Sequence, residues 1–256
     1  GTLHAGRVVL ATGGRSLPKS GSDGQAYMLA RGLGHSISHT FPALVPLTLP
    51  RRHFICGLSG LPVDATLEVQ SGSGKRLESL TGAILCTHFG LSGPAVLDIS
   101  RHYLAARFDD PAARLLINWL PGETFDSLEQ SLLHSGSQPL LRLLSGRLPD
   151  RLARALCAEA GIDTGARAGA LTREARRGLV HLLVGMPLPV SGDRGFTYAE
   201  VTAGGVPLSE VHLETMESRV CPGLYLCGEI CDVDGRIGGY NFQWAWSSGY
   251  VAGVSA

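Results

Sequence analysis

Leu224-Tyr-Leu-Cys-Gly-Glu-Ile-Cys-Asp-Val-Asp-Gly-Arg-Ile-Gly-Gly-Tyr-Asn-Phe-Gln-Trp-Ala-Trp-Ser-Ser-Gly-Tyr-Val-Ala-Gly253 is the stretch whose reading sets the fold class. Leu224 to Cys227 is a short apolar run, which predicts a buried strand. It delivers Gly228-Glu229 at its C-terminal end, where α/β sheets bind ligands. A flexible loop follows, carrying Asp232 and Asp234. Gly238-Gly239 then open a helix predicted over about Gly239 to Val254. The free N–H groups and dipole of such a helix start favour a negative or acceptor group. Ala245, Ser248, Gly249, Ala252 and Gly253 are small, so that helix can lie close to a sheet or a cofactor.

At the other end of the chain, Arg7-Val-Val-Leu-Ala-Thr12 is a continuous apolar run. It predicts a parallel strand buried on both faces and ended by Gly13-Gly14. A strand of that kind needs neighbours, so preceding sequence is expected. A helix is predicted from about Gly24 to Leu33, with Gly34 as its stop. Two ends that read as parts of one α/β domain imply a domain interrupted by insertions.

The middle reads first as β. Prolines make Phe41 to Leu49 an edge or irregular strand. Val63 to Gln70 and Arg76 to Leu80 flank Ser71-Gly-Ser-Gly74 as a hairpin, and Gly82 to Thr87 predicts another strand. Pro94 starts a helix to about Leu104, and Arg114 to Leu120 is a further strand. From about Phe125 to Val184, leucines recur at helical spacing, with breaks at Pro139, Pro149 and Gly161. Strand character returns at Met186 to Val190 and Phe196 to Thr202. The expected organisation is an α/β fold with a ligand-binding domain from residues 1–40 and 200–256. A β-rich insert spans 41–122, a helical insert 123–190, and a return connection 191–199.

Composition narrows the function classes. The chain has 256 residues, 44% hydrophobic and 17% charged, and a formal net charge of +0, which excludes a disordered reading. Zero net charge gives no global field toward nucleic acid or acidic membranes. Glycine stands at 34 residues without a collagen period, so glycines mark turns and close backbone approaches. No apolar run reaches the ~18 residues that span a bilayer, and no secretory leader opens the sequence. Cys56, Cys86, Cys157, Cys221, Cys227 and Cys231 show no metal-site spacing and read as small hydrophobes in a reducing cytoplasm.

The closing segment resembles the C-terminal FAD-binding motif of two-domain flavoproteins of the glutathione-reductase type. More narrowly, the chain resembles the YhiN-like/BaiN-like bacterial FAD-dependent oxidoreductases, which include aminoacetone oxidases. Val9-Leu-Ala-Thr-Gly-Gly14, Pro42-Ala-Leu-Val-Pro-Leu47, Thr87-His-Phe-Gly-Leu-Ser-Gly-Pro94, Val201-Thr-Ala-Gly-Gly-Val206 and Thr215-Met-Glu-Ser218 carry that likeness, in the family's order. Gly228-Glu229, Asp232-Val-Asp-Gly235 and Gly238-Gly-Tyr-Asn241 complete it. The family's N-terminal G-x-G-x-x-G unit is not found here: Gly32-Leu-Gly-His-Ser-Ile37 lacks the third glycine. The likeness therefore covers the family's C-terminal two-thirds, and these residues alone are expected to bind FAD poorly and to be inactive.

The resemblance implies residue roles. Thr12, Gly13 and Gly14 would lie beside FAD at the strand end. Gly228 would let the backbone approach, and Glu229 would accept hydrogen bonds from the ribityl or diphosphate region. Gly238, Gly239, Tyr240 and Asn241 would present donors to the pyrimidine edge of the flavin. The implied activity is hydride exchange between a small organic substrate, flavin, and NAD(P)H or O₂, in a pocket between the flavin and the inserts.

Each candidate has a plainer reading beside it. His88 is a candidate proton donor, although a His after a strand more often bonds a backbone carbonyl. Thr202 and the turn Ala203-Gly204-Gly205 line the substrate side of the flavin or form a strand bulge. Cys227 and Cys231 make a poor redox pair, because the first ends a buried strand. Asp232 and Asp234 are loop carboxylates rather than metal ligands, and Trp244 and Trp246 are packing residues. Eight arginines between Arg142 and Arg177 face four acidic residues. They read as a solvated face, with a tRNA-binding module related to flavin-dependent tRNA modifiers, or an inactive structural remnant, as the alternatives.

Overall fold

The apolar runs from opposite ends of the sequence meet in one sheet. The computed structural model describes residues 1–256. Along the chain the elements are β1 (Val8–Leu10), α1 (Gln25–Gly32), β2 (Phe41–Ala43), β3 (Leu47–Thr48), β4 (Pro62–Gln70), β5 (Arg76–Thr87), β6 (Gly90–Ser92), α2 (Pro94–Asp109), β7 (Arg114–Asn118), α3 (Phe125–His134), α4 (Leu140–Ser145), α5 (Asp150–Glu159), α6 (Arg173–Val184), β8 (Met186–Leu188), β9 (Gly192–Asp193), β10 (Val201–Ala203), β11 (Val211–His212), β12 (Glu217–Ser218), β13 (Leu224–Leu226) and α7 (Tyr240–Ser255). They form two units, one from Gly1–Val45 with Asp193–Ala256, the other from Pro46–Gly192. The fold is mixed α/β, as expected.

In the first unit, β1 runs parallel to β13, with Val8 opposite Leu224 and Leu10 opposite Leu226. β12 and β11 extend this sheet antiparallel, giving the order β1-β13-β12-β11. Its core joins Ala26, Tyr27 and Ala30 of α1 to Leu224, Leu226 and Ile230, and reaches Ala252 of α7. Within this chain β1 has one strand neighbour, β13, and Val8 is 48% exposed.

α7 behaves as its small residues require. Ser248 and Ala252 are buried against the sheet side, while Phe242, Trp246, Tyr250 and Val254, four apart, are exposed. Trp244 packs partly buried, but Trp246 is 69% exposed and is not a packing residue of this unit. It stacks on Phe242, one turn away, at 6.0 Å.

β2 and β10 pair antiparallel, with Val201 opposite Ala43. The predicted strand over Phe196 to Thr202 forms only at its end. Gly195 takes a left-handed φ of 70°. Its N–H donates to the Asp193 carboxylate at 2.6 Å and its carbonyl accepts from Tyr198 N–H at 3.0 Å, so residues 195–198 turn.

In the second unit, seven strands lie in the order β8-β7-β4-β5-β6-β3-β9. β4 and β5 form the expected hairpin, with a register shift at Val69/Gln70. The two strands predicted between Arg76 and Thr87 are one, since Leu80 to Gly82 continue the pairing with β4 without a break. The helical stretch breaks as predicted into α3 to α6. Leu67, Val69, Ile84 and Ile117 of the sheet share a core with Leu152, Leu156, Leu179 and Leu183 of the helices. Residues 46–122 and 123–190 thus belong to one body, because the leucine faces of the helices pack on one another and, through α6, against the sheet in a single shared core. Part of the helical arginine surplus is neutralised by Arg147–Glu123 at 2.7 Å, Arg154–Asp150 at 2.6 Å, and Arg176 and Arg177 on Glu129. No helix is long and apolar enough to cross a membrane.

Candidate functional site

A cavity of about 630 Å³ opens in the first unit, within the range of small-ligand and cofactor sites. Its floor is the C-terminal side of the parallel pair, with Gly13 after β1 and Gly228-Glu229 after β13. Gly238, Gly239 and Asn241 at the start of α7 close one side, and Leu17, Leu44, Glu200 and Val201 form the opposite wall. The cavity therefore sits where ligands bind in open α/β sheets, outside the carboxyl ends of adjacent parallel strands.

The floor is a tightly connected junction. Thr202 is 0% exposed, and its hydroxyl accepts the N–H groups of Arg15 at 2.8 Å and Ser16 at 3.1 Å. Its own N–H donates to Glu229 Oε1 at 2.9 Å. Gly14 lies against both side chains: a Cβ there would stand 2.6 Å from Thr202 Oγ1 and closer still to Glu229 Oε1. Only glycine fits, because the chain after β1 crosses directly over the Glu229–Thr202 contact. Burial raises the Glu229 carboxyl above its usual range, outweighing the hydrogen bonds from Thr202 and Ser16.

Helix α7 supplies the second half. Its N-cap, Gly239, is left-handed with φ 90°, no side chain caps the helix, and no acidic residue stands in its first turn. The first intrahelical bond runs from Gln243 N–H to Gly239 C=O at 2.9 Å. The N–H groups of the preceding turn therefore sit at the cavity edge without helical partners. Asn241 locks this entry: its Oδ1 accepts Gly235 N–H at 2.7 Å and its Nδ2 donates to Gly235 C=O at 3.0 Å. Gly228 is tied to the helix from the other direction. Its N–H donates to Ser248 Oγ at 2.9 Å, and its carbonyl accepts Trp244 Nε1–H at 3.0 Å.

Of the residues singled out from the sequence, Gly13, Gly228, Glu229, Gly238, Gly239 and Asn241 line the cavity. Thr12 and Tyr240 flank it, and Gly14 lies beneath it as part of the junction. Thr202 does not reach the cavity: it is fully buried with its hydroxyl already bonded, so it positions the floor and has no free group for catalysis. His88 belongs to the other unit, exposed in the turn between β5 and β6 and edge-on to Phe89 at 5.1 Å. It is not among the cavity residues. All six cysteines are free, and burial pushes the Cys231 thiol up to about 12, so Cys227 and Cys231 are poorly suited to redox exchange.

Leu17, Leu44, Glu200 and Val201 were not legible as site residues. Leu17 and Leu44 hold left-handed φ values of 51° and 49°, a conformation that no leucine signals in sequence. Glu200 immediately precedes the quoted Val201-Thr-Ala-Gly-Gly-Val206 motif, and that adjacency is the one available hint.

A raised carboxyl has a stability consequence. The contribution is full below the ordinary glutamate value and is lost as pH rises through the raised one, because the ionised form is penalised by burial. Glu229→Gln stays neutral and still accepts the Thr202 N–H. Melting temperatures of wild type and Glu229→Gln between about pH 4 and pH 8 are expected to diverge as pH rises, with the wild type falling relative to the variant. A pH-independent difference would show that Glu229 ionises without penalty.

Comparison with known proteins matches the chain to a family. The HI0933-like protein Rossmann domain matches residues 1–255. The chain is similar to a 3-dehydro-bile acid delta(4,6)-reductase of Clostridium scindens, 35% identical over 256 residues that cover 98% of this chain and 62% of that protein. It is similar to the ribosomal RNA dihydrouridine synthase of Escherichia coli, 38% identical over 255 residues, 98% of this chain and 60% of that one. The ribosomal RNA dihydrouridine synthase of Haemophilus influenzae is 34% identical over 250 residues, 97% of this chain and 59% of that one. The chain spans about three fifths of the length of these curated relatives. With its paired end strands, glycine-lined floor and matched length, this chain belongs to the HI0933-like Rossmann domain family.

Proposed function

We propose that this chain forms part of an FAD site in a flavin-dependent reductase. The observation that carries the reading is the junction of Gly14, Thr202 and Glu229 beneath a cavity that also receives an uncapped helix start. These residues fit a flavin nucleotide. The glycines give a backbone surface flat enough for a ring system, Glu229 offers a carboxyl to ribityl hydroxyls, and the α7 N–H groups meet an electron-rich edge. Donors at that edge stabilise the charge that develops there on reduction.

The relatives' names narrow the reaction class. A delta(4,6)-reductase acting on a 3-dehydro bile acid and a synthase of dihydrouridine both name the addition of hydrogen across a carbon–carbon double bond conjugated to a carbonyl. We assign the same class to this chain. Gly13, Gly228, Gly238 and Gly239 would hold the flavin against the cavity floor and the α7 entry, and the bound group would supply the hydride chemistry such a reduction needs. The chain's own residues orient and enclose. Leu17, Leu44 and Val201 exclude water from one wall, Asn241 fixes the α7 entry, and Thr202 holds Glu229 in place.

The test uses protein produced from its complete coding sequence and purified without added cofactor. Heat-released flavin is expected in near-stoichiometric amount, and anaerobic NAD(P)H oxidation is expected to need a conjugated unsaturated carbonyl acceptor. Protein that neither carries flavin nor takes up added FAD would end this reading.

A further inference from the structure

We infer that Leu17 is a specificity-determining residue of the reductase site, held in the cavity so that its side chain makes an apolar contact with the substrate. The inference rests on the reductase reading and deepens it. Three non-glycine residues of the chain have positive φ: Leu17 at 51°, Leu44 at 49° and Met216 at 61°. A left-handed backbone is costly for a residue with a Cβ and persists where the surroundings impose it. Leu44 and Met216 are 1% and 2% exposed, so burial of a large apolar side chain offsets that cost at both. Leu17 is 55% exposed. A solitary exposed leucine is ordinary, and so is a strained residue fixed in a core. Leu17 combines strain with exposure, and neither the core nor the solvent accounts for a leucine there.

The backbone is imposed from both sides of the residue. Before it, the N–H groups of Arg15 and Ser16 donate to Thr202 Oγ1 at 2.8 and 3.1 Å. Leu17 N–H donates to Phe196 C=O at 3.0 Å, and its own carbonyl accepts the Ser20 N–H and the Ser20 hydroxyl, both at 2.8 Å. Pro18 follows, and a proline disfavours helical backbone at the residue before it. Asparagine or glycine would enter this frame at lower cost. The hydrogen bonds are all to main-chain atoms of Leu17, so they hold its position without requiring its side chain.

The cavity supplies the reason for the side chain. Leu17 lines the wall opposite the start of α7. The other apolar residues of that wall, Leu44 and Val201, are buried, so protein already covers them and a ligand gains little more from either. Leu17 keeps apolar surface that an entering ligand removes from water. The glycine floor and the α7 start receive the flavin in the reading above, which leaves the opposite wall to the second ligand, the substrate. A contact of this kind is made equally in the bound substrate and in its transition state, so its loss raises KM and leaves kcat unchanged.

The test uses protein from the complete coding sequence, loaded with FAD, and carvone, a conjugated cyclic enone with apolar bulk, as the acceptor for NAD(P)H. Leu17→Asn tolerates the left-handed backbone and removes the apolar surface. It is expected to melt at or near the wild-type temperature, to keep its flavin, and to raise the carvone KM about tenfold with kcat within about twofold. Leu17→Met restores an apolar chain and is expected to bring KM back to within about threefold of wild type. Met216→Asn is the mirror case, since Met216 is also left-handed but is buried and is not among the cavity residues. It is expected to lower the melting temperature and to leave KM unchanged. Three results would overturn the inference while the reductase reading stands. A fall in melting temperature as large as that of Met216→Asn would make the Leu17 side chain structural. Lost flavin would place it on the cofactor, and an unchanged KM would leave it without a substrate contact. Flavin-loaded wild type that leaves carvone unreduced also overturns the inference, which requires an apolar acceptor. Wild-type protein that takes up no flavin ends the reductase reading, and the inference with it.

Discussion

Gly14→Ala is expected to destabilise the protein by about 1–3 kcal/mol and to strip it of flavin. The added methyl would stand 2.6 Å from Thr202 Oγ1 and closer to Glu229 Oε1. Neither neighbour can yield freely. Thr202 Oγ1 holds the N–H groups of Arg15 and Ser16, and Glu229 Oε1 holds the Thr202 N–H. Moving either breaks a buried hydrogen bond at the junction that forms the cavity floor. Gly178→Ala provides the contrast. Gly178 lies within α6 with nothing near its Cβ position, so alanine there is expected to stabilise by about 0.8–1.0 kcal/mol. Thermal melts and released-flavin measurements on the two variants check the pair. A Gly14→Ala protein with wild-type melting and full flavin would show that the junction has slack.

The second large effect is expected at His35. Its side chain is fully buried, with Nδ1 2.7 Å from Glu210 Oε2 and Nε2 2.8 Å from Ser218 Oγ. The bonding pattern sets the tautomer. Ser218 Oγ already accepts the N–H groups of Val220 at 3.0 Å and Cys221 at 2.8 Å, so its proton goes to His35 Nε2. Nδ1–H then donates to Glu210, which also accepts the Ser36 N–H at 3.1 Å and the Ser36 hydroxyl. A serine, a histidine and a glutamate in this order have the connectivity of a hydrolytic triad. Here Ser218 is 4% exposed and its lone pairs are occupied, so the cluster is a staple between the end of α1 and the β11–β12 hairpin.

His35→Ala removes the centre of that staple and strands a buried hydroxyl and a carboxylate. The expected cost is about 3 kcal/mol. The pH dependence follows from Glu210. Burial pushes its carboxyl up, but hydrogen bonds from Ser36 and His35 outweigh burial and leave the value lowered. A lowered carboxyl contributes stability above the ordinary glutamate value, lost as pH falls through the folded value. The gap between wild type and His35→Ala is therefore expected to be widest near neutrality and to narrow in acid. Denaturant titrations at several pH values measure it. A constant gap would show that Glu210 takes no part.

The closing segment was legible because each of its signals is local. A short apolar run, a glycine pair and a small-residue helix read correctly as β13, the cavity edge and α7, within a residue or two at each end. The helix breaks at Pro139, Pro149 and Gly161 were equally local, since a missing N–H or a left-handed residue acts on its own turn. For Thr202 and His88 the local sequence is silent about placement. Nothing in the neighbouring sequence says that the Thr202 hydroxyl is consumed by Arg15 and Ser16, 186 and more residues away, or that His88 lies in a different unit from the cavity.

The amino-acid sequence by itself determined most of the element types, the interrupted α/β organisation and the positions of the glycines that line the cavity, because apolar periodicity, proline and glycine act over a few residues. Only the tertiary structure decided which polar groups are spent and which are offered. The exposure of β1 and Trp246, the wall made by Leu17, Leu44 and Glu200, and the closed bonding of Thr202 and Ser218 all depend on partners distant in the chain. A hydrogen bond or a shared core between such residues leaves no periodic trace, and so it is settled only when the chain has folded.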